Sequence, residues 1–243
     1  MATRYSSFIP GVTNGLVLYL DAAKRESYPG SGTTWYDLSG NGNNGTLTNG
    51  PTYTGVSKDA AIDFDGVNDY VNLNTTFSSI VSSSLPSTWN AWVNVVSSSS
   101  NRTIIGSAWA NGGVHMRLTG SSHAPQDRVR FLHFTDGSNG TGFDSSLTFT
   151  SGWQNFTAIY NGNGLVYSNF KFYLNGQEAA TTDPTFGSPT VVPTTQTFSV
   201  GRGGTEDQAY YNSNIAQVSV YNRALTASEI QQNYNALKGR YGL

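Results

Sequence analysis

Hydrolysis of a glycosidic bond needs two carboxyl groups facing one cleft, about 5–5.5 Å apart for retention or about 6.5–9.5 Å for inversion. Glutamate occurs only at positions 26, 178, 206 and 229, and none has an acidic neighbour two or four residues away. Asp63 and Asp65 share one strand face, but Asp65 opens an Asp-Gly pair, whose ordinary work is an Asx turn. Asp37-Leu38-Ser39-Gly40-Asn41-Gly42 echoes the first half of a calcium loop, with oxygen donors at alternate positions and glycine at the sixth. Thr48 stands where the bidentate glutamate belongs, so a tight glycine-rich turn is the expectation there. His115, His123 and His133 lack the paired spacing of zinc ligands, and His115 and His133 are expected inside strands. No nucleophile elbow, phosphate loop or dinucleotide fingerprint occurs. The expectation is a protein that is not an enzyme.

Sugar recognition uses flat aromatic rings flanked by amides and carboxylates. Trp109 lies in Ser107-Ala108-Trp109-Ala110-Asn111-Gly112-Gly113, read as a loop tip. Tyr210 and Tyr211 follow Glu206-Asp207-Gln208 in another loop. These three are the candidate glycan-binding residues. Trp35, Trp89 and Trp153 are assigned to packing. Trp92 stays open between the two roles, because its strand face also carries Asn90 and Asn94.

The elements that must position these residues read as short strands. Of 243 residues, 37% are hydrophobic and only 12% charged, with 14 Tyr, 12 Phe and 5 Trp for a core. A net charge of −2 with scattered Lys and Arg argues against nucleic acid as a partner. Cysteine is absent, so disulfides, thiolate nucleophiles and Cys-based zinc sites are excluded. No apolar run reads as a signal peptide or reaches membrane-spanning length, so no membrane association is expected, and synthesis in the cytoplasm is.

Apolar runs of four to eight residues, bounded by Gly, Asn, Ser or Asp, predict an all-β sandwich. Strands are expected at Leu16–Ala22, Ala60–Phe64, Tyr70–Leu73, Ala91–Val96, Thr103–Ser107, Val114–Leu118, Val129–Phe134, Trp153–Tyr160, Phe170–Leu174 and Ile215–Tyr221. Val129–Phe134 alternates, with Val129, Phe131 and His133 on one face and Arg130, Leu132 and Phe134 on the other. Asn175-Gly176 predicts a type I′ hairpin. Residues 181–197 are read as a surface excursion. Thr226-Ala227-Ser228-Glu229 is a capping box, and Ile230, Tyr234 and Leu237 recur on one helical face, predicting a helix near 227–238 with Gly239 as its C-cap. Residues 1–14 are read as an extended arm, and 15–243 as one domain. Of the Asn-x-Ser/Thr triplets at 44, 74, 101, 139 and 155, the last falls in a strand expected to be buried, where a glycan would block folding.

In this order, Gly15-Leu16-Val17-Leu18-Tyr19-Leu20-Asp21-Ala22, Trp35-Tyr36-Asp37-Leu38-Ser39-Gly40-Asn41-Gly42, Ile62-Asp63-Phe64-Asp65-Gly66, Gly152-Trp153-Gln154-Asn155-Phe156, Phe172-Tyr173-Leu174-Asn175-Gly176 and Ile215-Ala216-Gln217-Val218-Ser219-Val220-Tyr221-Asn222-Arg223-Ala224-Leu225 resemble the concanavalin A-like lectin/glucanase superfamily, in its laminin G-like branch. The resemblance spans about residues 15–238. It implies a jelly-roll β-sandwich of two antiparallel sheets with one short C-terminal helix. Related domains often hold a structural Ca²⁺, for which Asp21, Asp65 and Asp69 are the oxygen donors here. Gln217 stands where many relatives have an acidic residue near the start of the last long strand. The glycine- and asparagine-rich version of the motif at 35–45, followed by the closing helix, is similar to single-domain virion proteins of tailed phages, those of cyanobacterial and marine phages above all. That implies a non-enzymatic capsid decoration or a tail or fibre component, contacting other virion proteins or copies of itself and adhering to cell-surface polysaccharide. The alternatives are a free lectin-like module and a degenerate glycoside hydrolase. Fold alone does not choose among them.

Overall fold

The computed structural model describes residues 11–55, 57–107, 111–121, 126–192, 195–203 and 209–243. Strands follow in chain order as β1 (Leu16–Asp21), β2 (Thr34–Trp35), β3 (Gly45–Thr48), β4 (Thr52–Tyr53), β5 (Ile62–Asp63), β6 (Tyr70–Asn72), β7 (Ser87–Val95), β8 (Arg102–Gly106) and β9 (Gly113–Leu118). They continue as β10 (Val129–Asp136), β11 (Asn139–Ser145), β12 (Gly152–Tyr160), β13 (Phe170–Leu174), β14 (Gln177–Ala179), β15 (Thr181–Thr182), β16 (Ser199–Val200) and β17 (Asn214–Tyr221), before helix α1 (Ala227–Leu237). Two antiparallel sheets result. One runs β14-β13-β12-β7-β17-β5-β4, with β1 also paired to β17; the other runs β15-β11-β10-β9-β8-β16-β6-β3-β2. The edge strands β14, β4, β15 and β2 have only two or three residues each, and the free side of six-residue β1 is covered by Ser39, Asn41 and Asn43, whose side chains bond its carbonyls, which leaves little template for edge-to-edge pairing.

The space between the sheets is filled by rings. Trp89 stacks on Phe198 at 5.3 Å and meets Phe77 edge-on at 5.8 Å. Phe131 and Phe143 from one sheet pack with Phe170 and Phe172 from the other. Such pairs add about 0.5–1.5 kcal/mol each beyond area burial. The expected alternation of Val129–Phe134 is observed, with Phe131 and His133 turned inward.

Every strand expected from sequence is present, but several more are not legible as strands. Asn139-Gly140-Thr141-Gly142 is not among the expected strands, yet it is the first half of β11. Glycine is required here by close approach. A Cβ on Gly140 would lie 2.7 Å from the Phe186 ring, and one on Gly142 would strike the Phe131 carbonyl. The 181–197 stretch is not a simple excursion, since Thr181 and Thr182 pair with β11 and Phe186 bridges Gly140 through two backbone hydrogen bonds of 3.0 Å. At the Asn175-Gly176 turn both φ angles are positive, 50° and 78°, and Leu174 faces Gln177, as a type I′ hairpin requires.

Helix α1 starts as expected: Thr226 Oγ1 accepts from Glu229 N while Glu229 accepts from Thr226 N. Arg223 grips the Glu229 carboxylate bidentately at 2.7 and 2.9 Å, and this, with the capping bonds, holds that carboxyl down to about 2. The C-cap is Lys238, not Gly239, because a 3-10 turn over Lys238–Arg240 continues the helix. Of the segment read as an arm, residues 1–10 lie outside the described residues, and residues 11–14 are docked. Val12 is buried; its N–H donates to Asn233 Oδ1 (2.7 Å) and its carbonyl accepts from the Tyr221 hydroxyl (3.0 Å).

His133 is the odd member of the core. It is fully buried among Tyr160 (4.5 Å), Phe170 (5.2 Å) and Phe131 (5.3 Å), its cross-strand neighbour is Thr141, and neither ring nitrogen has a hydrogen-bond partner. Burial lowers its pKa to about 3. The unfolded chain therefore takes up a proton on this ring below about pH 6.5 that the folded chain refuses down to about pH 3. Stability is complete above that window and falls through it by about 1.4 kcal/mol per pH unit. His133→Leu removes the orphaned nitrogens and is expected to flatten the fall of thermal midpoint between pH 6.5 and 3; an unchanged slope by differential scanning calorimetry refutes this.

Candidate functional site

The sequence-derived candidates separate in space. Trp109 lies outside the described residues. Tyr211 is fully buried: its ring meets Phe64 edge-on at 6.4 Å and its hydroxyl donates to the Asn94 carbonyl at 3.0 Å. Burial pushes that phenol far above the ordinary range. Tyr211 is thus a core residue rather than a sugar platform. Tyr210, the neighbour in an extended run, is only half-buried. Asn155 is buried and bonded through its side chain, so its glycosylation triplet is inert.

The proposed calcium donors do not converge. Asp21 is 0% exposed and receives Arg240 Nη1 on both oxygens at 2.9 Å, with the Tyr19 hydroxyl and Ala23 N–H at 3.1 Å. Asp65 Oδ1 accepts the backbone N–H groups of Val67, Asn68 and Asp69 at 2.8, 3.2 and 3.4 Å; these bonds lower its pKa. Asp69 returns a bond to Asp65 N at 3.1 Å, and burial raises its pKa. Both belong to one Asx turn around Gly66. In the calcium-like loop, Asp37 accepts from Tyr19 N, Ser39 N, Ser39 Oγ and Asn43 N, all within 3.0 Å, as the turn reading expects. Among the described residues no three His, Cys, Asp or Glu side chains gather to hold a metal. Asp21 is held by Arg240, while Asp65 and Asp69 form a separate hydrogen-bonded pair, so the three do not make one donor set.

Each sheet has one outer face, and the two differ. On the sheet containing β7 and β17, that face is sealed by α1 and the residues after it. Tyr241 stacks on Trp92 (4.4 Å) and packs on Trp153 (4.6 Å), and Tyr234 stacks on Trp92 at 5.5 Å. Trp92, open between two roles on sequence alone, is fully buried here. Beneath α1 lies a chamber of about 10 Å³ lined by Tyr19, Asn90, Gln217, Ser219, Tyr221, Asn233 and Leu237, on the order of one water molecule. Gln217 Oε1, buried, has no protein partner.

On the other sheet, cross-strand register assembles a polar lane. Asp144 on β11 faces Arg130 on β10, Arg130 faces Arg117 on β9, and Arg117 faces Thr103 on β8. Directly paired residues share a face, and their sequence neighbours Phe143, Phe131, Met116 and Ile104 fill the core, so this row lies on the side away from the core, where Thr103, Asp144 and Arg117 are nevertheless buried. Arg130 holds Asp144 through Nε (2.6 Å) and Nη2 (2.7 Å), and its side chain keeps 19% of its surface exposed. At the far end Ala209 accepts from Thr103 N (2.8 Å), bringing Tyr210 alongside. One residue beyond Gly201, the Arg202 guanidinium lies 3.6 Å over the Tyr70 ring. Sequence reasoning had no route to the register. A local signal existed: residues 102–130 carry Arg102, Arg117, Arg128 and Arg130 against the single acid Asp127, hidden in a chain with net charge −2.

Two antiparallel sheets packed on an aromatic core, with the outer face of one covered by the C-terminal helix, define a lectin-like jelly roll. Residues 64–231 match the Laminin_G_3 family model, described as the concanavalin A-like lectin/glucanases superfamily, and the chain belongs to that family. No curated protein sequence matches it. Among solved structures, it is similar to the binding domain of Paraclostridial mosquitocidal protein 1, with TM-score 0.64, 16% identity, 92% of this chain and 52% of that one covered. It is similar to the receptor-binding domain of botulinum neurotoxin C/D mosaic serotype, with TM-score 0.61 and 16% identity over the same shares of 92% and 52%. A Trypanosoma rangeli sialidase in complex with a difluoro-KDN matches with TM-score 0.61 and 14% identity, over 94% of this chain and 33% of the sialidase. The chain thus spans about half of the two toxin domains and a third of the sialidase; identities this low show fold alone.

Two outcomes follow from the carboxylates. Millimolar CaCl₂ or EDTA is expected to leave the thermal midpoint unchanged; a clear rise with Ca²⁺ contradicts the donor analysis. Arg240→Ala strands the buried Asp21 charge and is expected to cost about 3–5 kcal/mol in urea unfolding.

Proposed function

We propose that the protein is a non-enzymatic adhesive module that holds cell-surface glycans and is carried on a phage particle as a capsid decoration or a tail or fibre component. The observation that carries the adhesive part is the outward lane on the β8–β11 sheet. Its partly exposed members are Arg130 and, at the far end, Tyr210, and its carboxylate Asp144 is clamped by Arg130. Acid–base hydrolysis needs two carboxyls with free oxygens. Of the strand carboxylates, Asp21, Asp144 and Glu178 are bound by Arg240, Arg130, and Lys171 with Tyr173, and Asp136 accepts from Ser138 N and Asn139 Nδ2. The toxin neighbours, whose titles name binding and receptor-binding domains, support a recognition role for this architecture.

The particle context is supported by the similarity of the 35–45 motif and closing helix to virion proteins of tailed phages. The short, blunted sheet edges and low charge suit a module packed in many copies.

A glycan array probed with the purified chain is expected to show binding to a bacterial surface polysaccharide, without release of reducing ends from mixed β-glucans. Failure to bind any glycan removes the adhesive reading; turnover removes the non-enzymatic one. Cryo-electron microscopy of the phage is expected to place the chain at regular positions on the particle. Its absence there, with glycan binding retained, leaves a free lectin-like module.

A further inference from the structure

We propose that the open end of the sheet containing β7 and β17 is a second glycan-contact surface, suited to an uncharged hexose chain. This inference rests on the glycan-holding reading and adds to it a ligand class and a surface separate from the Arg130 lane.

The strap over that sheet stops short of the strand ends. Ala61, Trp92 and Ala216 are buried against Leu237 of α1. Two residues further along those strands, register sets out a different row. Trp153 on β12 pairs with Asn94 on β7, and Asp63 on β5 pairs with Asn214 on β17 and with Thr52 on β4. Carrying the Ile215–Val93 pair one residue on sets Asn214 opposite Asn94 and joins the two halves. Their sequence neighbours Val93, Val95, Ile62, Phe64 and Ile215 fill the core, so the row lies on the outer face, beside Tyr241, which packs on Trp153. Its members reach solvent: Trp153, Asn94, Asn214 and Asp63 are half-buried, and Thr52 is exposed.

The polar groups of this row are uncommitted. Among the described residues, the Asp63 carboxylate and the side-chain amides of Asn94 and Asn214 take part in no hydrogen bond or ion pair. Asn214 Oδ1 is also shielded from water, as is Asn212 Oδ1 two residues earlier on the same face. An acceptor held without a donor is unfavourable, and a ligand hydroxyl would relieve it. The inventory selects the ligand. A carboxylate with both oxygens open accepts from two hydroxyls, each amide both donates and accepts, and the uncovered part of the Trp153 indole offers a flat apolar surface to the C–H side of a pyranose ring. Anions are disfavoured, because the row holds a carboxylate and no basic residue, and Asp65 follows on the same strand face. A metal ion is disfavoured because no three His, Cys, Asp or Glu side chains gather among the described residues. With strands about 4.8 Å apart, a row across five of them is about 19 Å long, which fits several linked sugars rather than one.

The test is isothermal titration calorimetry with neutral hexasaccharides of glucose, mannose and galactose, and with oligogalacturonate and a chitosan hexamer as anionic and cationic counterparts. Variants are Asp63→Asn and Asn94→Ala, neither of which breaks an ion pair. Asp183→Asn, after β15 on the other sheet, is a control that also removes one charge. A neutral chain is expected to bind, with little dependence on salt or EDTA. Asp63→Asn is expected to weaken that binding about tenfold and Asn94→Ala about fivefold, the values of one charged and one neutral hydrogen bond, with Asp183→Asn equal to the parent. The isosteric Asp63→Asn carries the test if Asn94→Ala does not fold. Equal binding by Asp63→Asn and the parent, tighter binding of either charged chain, or loss of binding in EDTA each overturns the inference. Binding on the glycan array with none to the neutral hexasaccharides also overturns it and leaves the proposed function standing; no binding to any glycan sinks both.

Discussion

The face-to-face burial of aromatic rings between two sheets is the constraint on which the rest depends. Strands of two to nine residues have no independent stability, and isolated hairpins are marginal in water. Here they are held because Trp89, Phe131, Phe156, Tyr160 and Phe172 bridge the layers. That layer is tight enough to hold His133 without a single hydrogen bond, and to demand glycine at 140 and 142 where backbone approaches ring and carbonyl. Polar function is thereby pushed to the outer faces and the loops.

The two outer faces have been treated oppositely. One is closed by a strap in which every anchor is specific: the capping box and Arg223 fix the start of α1, Asn233 ties it to Val12 and Tyr221, and Arg240 neutralises Asp21 at its end. The Trp92–Tyr241–Trp153 stack buries the Trp92 indole and covers part of Trp153. The other face keeps its arginines ordered by cross-strand neighbours, and its charge contrasts with that of the chain.

Much of this was legible in the residues. Alternation placed Phe131 and His133 opposite Arg130, Asn-Gly specified the 174–177 hairpin, and Thr226 with Glu229 announced α1. The errors have physical causes. Asn139–Gly142 gave no strand signal because glycine in a sequence indicates freedom, whereas here it serves contact. Tyr210 and Tyr211 are equivalent in sequence, but successive side chains of an extended segment point to opposite sides, so one is core and the other reaches the surface.

The sequence by itself determined the all-β class, the hairpin and helix signals, the family resemblance and the absence of thiol chemistry, because each is written in composition or in spacings of a few residues. Only the tertiary structure decided what the charged groups do. Asp21 meets Arg240 across 219 residues, and Arg130 meets Asp144 and Arg117 through register. Electrostatic partnership depends on distance in space, and in a sandwich of crossed-over strands that distance bears no simple relation to separation along the chain.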